Sequence, residues 1–419
     1  MKYKVFWCKV NKYYTDEWLN SEYLSQKSWT FVASCVVTDK AKKKWLKFVK
    51  QELSELKTND KIFISWCWAF EKWEENNNFY EVYPELKSFE NQIEILWESP
   101  NENKKDWSKK EPKKLDFQSK IWNLKQIYTK KFIVIQWGCD SYCTFCLTVI
   151  KRWKHYYRSL EDIVDEITDF EMRWWKEVVL TWVNLCAWGL ENTNDFQNSK
   201  FAELLEYILN KTEIPRIRIS SIWPEFMNDK VLKLFENKRI YPHFHFSIQS
   251  WSTNTLKAMK RHYTWEYMRD LLNKTLNIKR EDWVSVSIWA DLIVWFPWET
   301  DSDFQETYNL VKDLKITKVH AFPFSNHTLW EHVPASYYPN QVDEKIKKQR
   351  LDDLMMLAEN VRNDFIKSQS WKTLEVLIET VKDNEFKGWS ENYIECNNSN
   401  FEIISWKIAK NEIVIWKLK

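Results

Sequence analysis

The chain has 419 residues, which is more than one ordinary domain holds, and we expect two or three domains. Its hydrophobic content of 44% is sufficient for packed cores, and its net charge of +2 excludes nucleic-acid attraction by overall charge alone. Charged residues interrupt every apolar run before it reaches the roughly 18 residues of a membrane helix, and the N-terminus lacks a signal-peptide pattern. We therefore expect a cytoplasmic protein, in which eight cysteines are metal ligands or core residues and not disulfides.

Short apolar runs alternate with helical patterns in the first hundred residues. The apolar runs cover 2–7, 29–38 and 61–69, and the charged segment 39–57 has the pattern of an amphipathic helix. Alternation of this kind predicts parallel strands joined by crossover helices. A basic stretch follows, with ten lysines and three acidic residues between Lys104 and Lys131, a net of +7. It is either a solvated linker or a linker that also contacts a phosphate backbone.

A second alternation occupies residues 130–335. The predicted strands are 132–136, 178–183, 217–222, 243–249, a run within 284–297, and 318–325. Six β/α units predict a partial or full barrel of the TIM type. A single long helix is predicted at 342–367, and the tail from Ser368 has the short alternating runs of a small β-barrel.

Three cysteines follow the first strand of the predicted barrel. Cys139, Cys143 and Cys146 form a C-x3-C-x2-C motif, and thiolates are the usual ligands of iron–sulfur clusters. Three ligands leave one iron of a cubane open, so that it can chelate S-adenosylmethionine and pass it an electron. Zinc prefers a closed set of four ligands, and no fourth Cys or His stands nearby at the usual spacing. The motif therefore predicts a radical S-adenosylmethionine enzyme.

A second set of cysteines is spread over the N-terminal region. Cys8, Cys35 and Cys67 each stand at or near the carboxyl end of one of the first three predicted strands. Because those ends converge on one crevice in an open parallel sheet, three thiolates there would hold a second cluster with its own open iron. The alternative is three buried core cysteines. Cys186 and Cys396 fit neither pattern and are interpreted as structural.

The numbers of tryptophan and glycine are abnormal. The chain has 28 Trp and 3 Gly, whereas average usage predicts roughly 29 Gly. Tryptophan also stands at strand-to-turn junctions where glycine is usual, as at Trp7, Trp66, Trp251, Trp295 and Trp298. We infer that the source reads the codon UGA as glycine and that the written sequence translates it as tryptophan. Trp175 and Trp389 suit either residue, and the alternative is a chain that is truly rich in tryptophan.

With glycine restored, the cysteine segments resemble those of the methylthiotransferase family. The segments are FWCKVN (6–11), ISWC (64–67) and QWGCDSYCTFC (136–146), and the blocks RIRISSI, FSIQSWSTNTLKAMKRHYT and DLIVWFPWETDSDF agree with them. The resemblance covers essentially the whole chain. CKVNKY and MKRHYT are most similar to the tRNA threonylcarbamoyladenosine methylthiotransferases. The tail resembles the TRAM domain, the small β-barrel with which these enzymes bind RNA.

The resemblance implies an α/β chain of four parts. These are an N-terminal methylthiotransferase domain with an open parallel sheet (1–103), a basic linker (104–124), a radical S-adenosylmethionine core with a partial TIM-type barrel and a trailing helix (125–367), and a TRAM-like domain (368–419). It also implies two [4Fe–4S] clusters and S-adenosylmethionine as cofactors. The tail is expected to be removable after Gln369 without loss of either cluster.

The chemistry that the resemblance implies begins at Cys139, Cys143 and Cys146. Their cluster would reduce S-adenosylmethionine to methionine and a 5′-deoxyadenosyl radical, which removes hydrogen from carbon 2 of N6-threonylcarbamoyladenosine beside the tRNA anticodon. The cluster at Cys8, Cys35 and Cys67 would supply sulfur, which a second S-adenosylmethionine methylates. Candidate contacts for S-adenosylmethionine, each with a structural role as its alternative, are Asn184, Arg218, Gln249 and Ser250.

The expected partners are the tRNA anticodon stem-loop and an electron donor such as flavodoxin or ferredoxin, with no membrane partner and a monomeric state. One alternative is a methylthiotransferase with another substrate, either isopentenyladenosine in tRNA or an aspartate of a ribosomal protein. An alternative of another class is a non-catalytic iron–sulfur protein that binds RNA or transfers electrons.

Overall fold

A computed structural model describes most of the chain. The described residues are 2–6, 9–25, 29–34, 38–57, 60–65, 79–96, 127–147, 155–327, 332–383, 385–404 and 408–418. The chain divides into two compact units. The first contains Met1–Ile127, Trp137–Arg158 and Ser325–Ser336, and the second contains Tyr128–Gln136, Ser159–Phe324 and Tyr337–Lys419. The basic linker predicted at 104–124 lies outside the described residues.

The first unit is built on a parallel sheet of four strands in chain order. Its strands are β1 (Lys2–Val5), β2 (Trp29–Ala33), β3 (Lys61–Ser65) and β4 (Ile93–Leu96), and its helices are α1 (Lys9–Leu19), α2 (Glu22–Ser25), α3 (Asp39–Glu55) and α4 (Phe79–Val82). The side chain of Thr38 caps α3 by accepting a hydrogen bond from the amide of Ala41. The apolar face of α3 packs Trp45 and Val49 into a core with Ile62. The predicted open parallel α/β sheet is confirmed.

The second unit contains six parallel strands, as predicted, in two ribbons. One ribbon has the order β5 (Lys131–Val134), β8 (Glu177–Thr181) and β9 (Arg216–Ile219), and the other has the order β10 (His243–Gln249), β11 (Ser287–Val294) and β12 (Lys318–Pro323). Parallel bridges from Ile217 to Ile240 and from Ile222 to Phe246 connect β9 to the β10 region, which continues the sheet as a partial barrel. The short strands β6 (Gln136–Trp137) and β7 (Tyr156–Tyr157) form a separate two-stranded sheet.

Helices connect the strands of the second unit. They are α5 (Leu160–Met172), α6 (Phe201–Lys211), α7 (Asp229–Leu234), α8 (Thr253–Ala258), α9 (Trp265–Leu276) and α10 (Asp301–Asp313), and the long helix α11 (Glu344–Ser368) follows the last strand. Ser159 and Thr300 start α5 and α10 by accepting hydrogen bonds from backbone amides three residues later. None of the helices that the structure describes is long and apolar enough to cross a membrane.

The tail forms an antiparallel sheet of five strands, a small β domain. The strands are β13 (Thr373–Lys382), β14 (Glu385–Ser390), β15 (Glu395–Asn397), β16 (Phe401–Ile403) and β17 (Ile413–Leu418), and their order in the sheet is β15-β14-β13-β17-β16. Val376, Ile394 and Trp416 are buried in its core, against which Phe365 of α11 packs. The tail therefore shares a core with the helix that precedes it.

Several tryptophans occupy backbone conformations that suit glycine. Five have positive φ angles between 57° and 74°, namely Trp174, Trp283, Trp295, Trp298 and Trp371. The buried indole N–H groups of Trp45, Trp289 and Trp295 have no hydrogen-bond partner in the described part of the chain. By contrast, Trp389 donates its indole N–H to Glu379 at 3.1 Å. Glycine at the five left-handed positions would remove the backbone strain.

We expect peptide mass spectrometry of the native protein to find glycine at positions 295 and 298. The reason is that both residues are left-handed and flank Pro297 in a tight turn after β11. The measurement is a tandem mass spectrum of the peptide that covers Trp295 to Trp298, with Trp389 as an internal comparison. Indole masses at both positions would show that the written sequence is correct.

Candidate functional site

The cysteine motif lies in a loop of the first unit that begins directly after β6. Gly138 has a φ of 68°, which lets the chain turn sharply into Cys139. Cys139 and Cys143 are buried and Cys146 is partly exposed. The amide of Cys146 donates to the carbonyl of Cys143 at 3.1 Å, which forms a tight turn between two of the three thiols. The loop therefore presents three thiols within eight residues, the third nearest to solvent.

Contacts within the first unit hold this loop in place. The carboxylate of Asp140 accepts a hydrogen bond from the amide of His155 at 3.1 Å, and the carbonyl of Thr144 accepts one from the amide of Ala335 at 2.9 Å. The Cys139 Sγ lies 3.6 Å from the Ser141 hydroxyl. Burial raises the pKa of the Cys139 thiol, and hydrogen bonds from Ser141 oppose this shift. A buried thiol of this kind ionises most readily when a metal takes the thiolate, so the donor set fits an iron–sulfur cluster.

The other two described cysteines have the surroundings of structural residues. Cys186 and Cys396 are completely buried. Burial raises the pKa of Cys186 to about 12 and that of Cys396 well above its usual value. Both thiols therefore stay protonated at neutral pH, which agrees with the structural interpretation.

Cys8, Cys35 and Cys67 lie outside the described residues. The strands that precede them, β1, β2 and β3, end level with one another, because Val5 pairs with Ala33 and Ala33 pairs with Ser65. Asn11, which is buried on α1, donates its side-chain amide to the carbonyl of Ser34 at 2.5 Å. This bond ties the start of α1 to the end of β2.

Three of the predicted S-adenosylmethionine contacts lie at carboxyl ends of strands in the second unit. Asn184 is buried after β8, where its carbonyl accepts a hydrogen bond from Ala187 and starts a short 3-10 turn. Gln249 ends β10 with a left-handed φ of 69°. Ser250 is buried, and its hydroxyl accepts a hydrogen bond from the amide of Ser252 at 3.3 Å. Ligand sites of such barrels form at this end, which is consistent with binding of S-adenosylmethionine. The role of the three residues in that binding stays a prediction.

Arg218, the fourth predicted contact, lies in a network of buried polar groups. Its Nε donates to Glu177 at 2.9 Å, and its other nitrogens donate to the carbonyls of Glu391 at 3.2 Å and Ser390 at 3.4 Å. Arg216 forms a second ion pair with Glu177 at 2.9 Å. Arg218 therefore joins β9 to the tail sheet, which favours the structural alternative, and its contact with S-adenosylmethionine stays a prediction.

Glu177 is the anion at the centre of this network, and all three charged side chains are at most 1% exposed. Burial alone would raise the pKa of Glu177, but Arg218 and Arg216 outweigh it and lower the pKa to about 2. The pattern RIRI places both arginines on one face of β9, which is the signal that the sequence offered. Sequence alone could not reveal Glu177 and the tail carbonyls as the partners.

Replacing Glu177 with Gln is expected to lower the free energy of unfolding by about 3–5 kcal/mol, because it leaves two buried guanidinium groups without their anion. Because the folded pKa is depressed, the stabilisation is present above the unfolded value near 4.5 and is lost as the pH falls towards about 2. The measurement is denaturant unfolding of both proteins at several pH values.

Asp270→Asn is the matched control for this change. Asp270 is an exposed carboxylate that pairs with Lys274 at 3.3 Å, and an exposed pair contributes about 1 kcal/mol or less. An effect of Glu177→Gln no larger than that of the control would show that the buried network does not stabilise the fold.

A model of the radical SAM superfamily matches residues 133–311, which include Cys139, Cys143 and Cys146. The cysteine loop and this match define a radical S-adenosylmethionine enzyme of α/β fold. Against a solved radical S-adenosylmethionine methyltransferase, TsrM from Kitasatospora setae, the TM-score is 0.46 at 12% identity, over 73% of this chain and 66% of that one.

Relatives in sequence define the family more narrowly. The chain is 31% identical over 416 residues to the threonylcarbamoyladenosine tRNA methylthiotransferase MtaB of Thermotoga maritima, covering 94% of this chain and 90% of that protein. It is 32% identical over 293 residues to MtaB of Bacillus subtilis, covering 68% of this chain and 62% of that protein. It is also 32% identical to the tRNA-2-methylthio-N(6)-dimethylallyladenosine synthase of Campylobacter jejuni, over 66% of this chain and 61% of that protein.

The chain belongs to the family of radical S-adenosylmethionine tRNA methylthiotransferases, as its cysteine motifs predicted. Members of this family are enzymes that use S-adenosylmethionine and [4Fe–4S] clusters. The matches to the proteins of B. subtilis and C. jejuni each span less than two thirds of those proteins.

Proposed function

We propose that this protein attaches a methylthio group to carbon 2 of N6-threonylcarbamoyladenosine next to the anticodon of tRNA. The observation that carries the proposal is the loop of Cys139, Cys143 and Cys146 at the end of β6, in a chain that aligns over 94% of its length with a threonylcarbamoyladenosine tRNA methylthiotransferase. The three thiols fit a cluster with one open iron.

In this proposal each group of residues has a separate task. Cys139, Cys143 and Cys146 hold a [4Fe–4S] cluster, which when bound supplies the electron for reductive cleavage of S-adenosylmethionine. Asp140 and Thr144 keep the loop in shape through their bonds to His155 and Ala335. Asn184, Gln249 and Ser250 bind polar groups of S-adenosylmethionine at the carboxyl ends of β8 and β10.

Cys8, Cys35 and Cys67 are assigned to a second [4Fe–4S] cluster, at which sulfur is added. Support comes from the level ends of β1, β2 and β3, which precede these cysteines by two or three residues. The bond from Asn11 to Ser34 holds the segments after Cys8 and before Cys35 together. Carboxyl ends of neighbouring parallel strands are the usual place for a shared ligand site.

The partners are proposed from the membership of this chain in the tRNA methylthiotransferase family. The tRNA substrate is bound at its anticodon stem-loop, and the electron comes from a flavodoxin or ferredoxin. We propose a monomer that works in the cytoplasm.

A nucleoside assay tests the substrate. Reconstituted protein, S-adenosylmethionine, dithionite and tRNA that carries threonylcarbamoyladenosine should give 2-methylthio-N6-threonylcarbamoyladenosine on liquid chromatography with mass spectrometry. The matched substrate is tRNA that carries isopentenyladenosine, since a relative with 32% identity is named for the dimethylallyl nucleoside. Methylthiolation of that tRNA alone would show that isopentenyladenosine, and not threonylcarbamoyladenosine, is the substrate. If neither tRNA gave a product, two alternatives would remain: a methylthiotransferase that acts on an aspartate of a ribosomal protein, or a non-catalytic iron–sulfur protein.

A further inference from the structure

Three neighbouring strands of the second unit bring two imidazoles and a carboxylate together. His245 lies on β10, Asp291 on β11 and His320 on β12, with Asp291 and His320 paired in register. The His245 Nε2 is 2.8 Å and the His320 Nδ1 is 3.3 Å from the same oxygen of Asp291. One potential ligand atom of each residue lies within 4.8 Å of the other two. The three side chains therefore converge on one point.

We propose that His245, Asp291 and His320 bind one divalent first-row transition-metal ion, separate from the iron–sulfur clusters. Two imidazoles and a carboxylate are a ligand set that Zn²⁺ and Fe²⁺ use in proteins. A tetrahedral ion with bonds of about 2.0–2.1 Å places its ligand atoms about 3.3 Å apart, and the observed separations are 2.8 and 3.3 Å. Three protein ligands leave at least one coordination position for water or a substrate group.

The surroundings of the three ligands suit a bound ion. The side chains of His245, Asp291 and His320 are 10%, 23% and 29% exposed, so water competes little but an ion can enter. The imidazole rings of His245 and His320 lie 5.0 Å apart between their centroids, which brings both within reach of one ion. Without a metal, one carboxylate oxygen would accept from both imidazoles, and the bond of 3.3 Å from His320 is long for that purpose.

A zinc-loading experiment on the holoenzyme tests the site. Protein with reconstituted clusters is washed with a chelator, incubated with Zn²⁺ alone and desalted, and its zinc and iron are counted by inductively coupled plasma mass spectrometry. We expect about one zinc per chain in the wild type without loss of iron. His245→Asn and His320→Asn should weaken zinc binding by about tenfold or more. His262→Asn is the matched control, since His262 is exposed and outside the cluster.

Two further measurements separate a metal site from a structural hydrogen bond. Zinc binding that is lost in His320→Asn should return in His320→Cys, because a thiolate is also a zinc ligand. A cysteine would not replace the hydrogen bond from the His320 imidazole to Asp291, so a purely structural role would not be rescued. X-ray absorption at the zinc edge should show only nitrogen and oxygen neighbours in the wild type. Wild-type protein that binds no zinc, or binds it through sulfur, would overturn the proposal whether or not the variants fold. Equal zinc in the Asn variants would overturn it too.

Discussion

Replacing Cys139, Cys143 and Cys146 together with alanine is expected to abolish the cleavage of S-adenosylmethionine and to remove about half of the iron, since three of the six cluster thiolates are lost. The loop is tied to its unit through Asp140 and Thr144, so the rest of the fold should survive. The measurements are iron content after anaerobic reconstitution and 5′-deoxyadenosine formed with dithionite.

Two control variants sharpen this result. Cys186→Ala removes a buried thiol outside both motifs and should change neither iron content nor cleavage. Replacing Cys8, Cys35 and Cys67 should also remove about half of the iron, but some 5′-deoxyadenosine should still form. Full iron in this second triple variant would disprove the auxiliary cluster, and cleavage in the first would disprove the radical site.

Removal of the tail after Gln369 is expected to unfold the second unit. The tail supplies the carbonyls of Ser390 and Glu391 that accept from the buried guanidinium of Arg218, and the carbonyl of Trp389 that accepts from Arg216 at 3.2 Å. Loss of these acceptors and of the shared apolar core should cost several kcal/mol, a large part of the stability of a domain. Sequence alone predicts a removable tail, but the buried polar contacts between the tail and β9 argue against that.

The measurements are soluble yield and thermal unfolding of the truncated chain beside the full chain. Glu402→Gln, an exposed change within the tail, is the control and should leave both unchanged. A truncated chain with the melting temperature of the full protein would show that the contacts between tail and β9 contribute little.

Binding of tRNA by the tail is better tested with point variants. Lys382 and Lys387 are exposed on the β13–β14 hairpin. Lys382→Glu with Lys387→Glu should weaken tRNA binding and reduce the salt slope by about one for each lost phosphate contact. The control is Lys230→Glu with Lys233→Glu on α7, which changes the charge by the same amount elsewhere on the second unit and should leave tRNA binding less affected. Equal affinities and slopes for both double variants would remove the tail from the RNA-binding surface.

The spacing of the cysteines and the pattern of apolar residues along the chain are enough to predict the cysteine loop and the parallel strands. The C-x3-C-x2-C motif needs only eight residues, because the loop itself brings Cys139, Cys143 and Cys146 together. Runs such as FIVI and VVLT are typical of strands buried on both faces, and the helices between them predict parallel pairing. The loop and the strand pattern can be read from residues close in the chain, although the pairing itself joins distant residues such as Lys131 and Val178.

Tertiary structure alone decided which distant polar groups meet. Arg218 pairs with Glu177, 41 residues away, and with carbonyls of the tail more than 170 residues away. His245, Asp291 and His320 converge because three parallel strands pair in a particular register. Period-2 patterns indicate which side chains share a strand face, but not which strand lies beside it or at what register. For that physical reason the sequence leaves two roles open for Arg218, a cofactor contact or a structural one, and only the fold reveals its buried ion pair with Glu177.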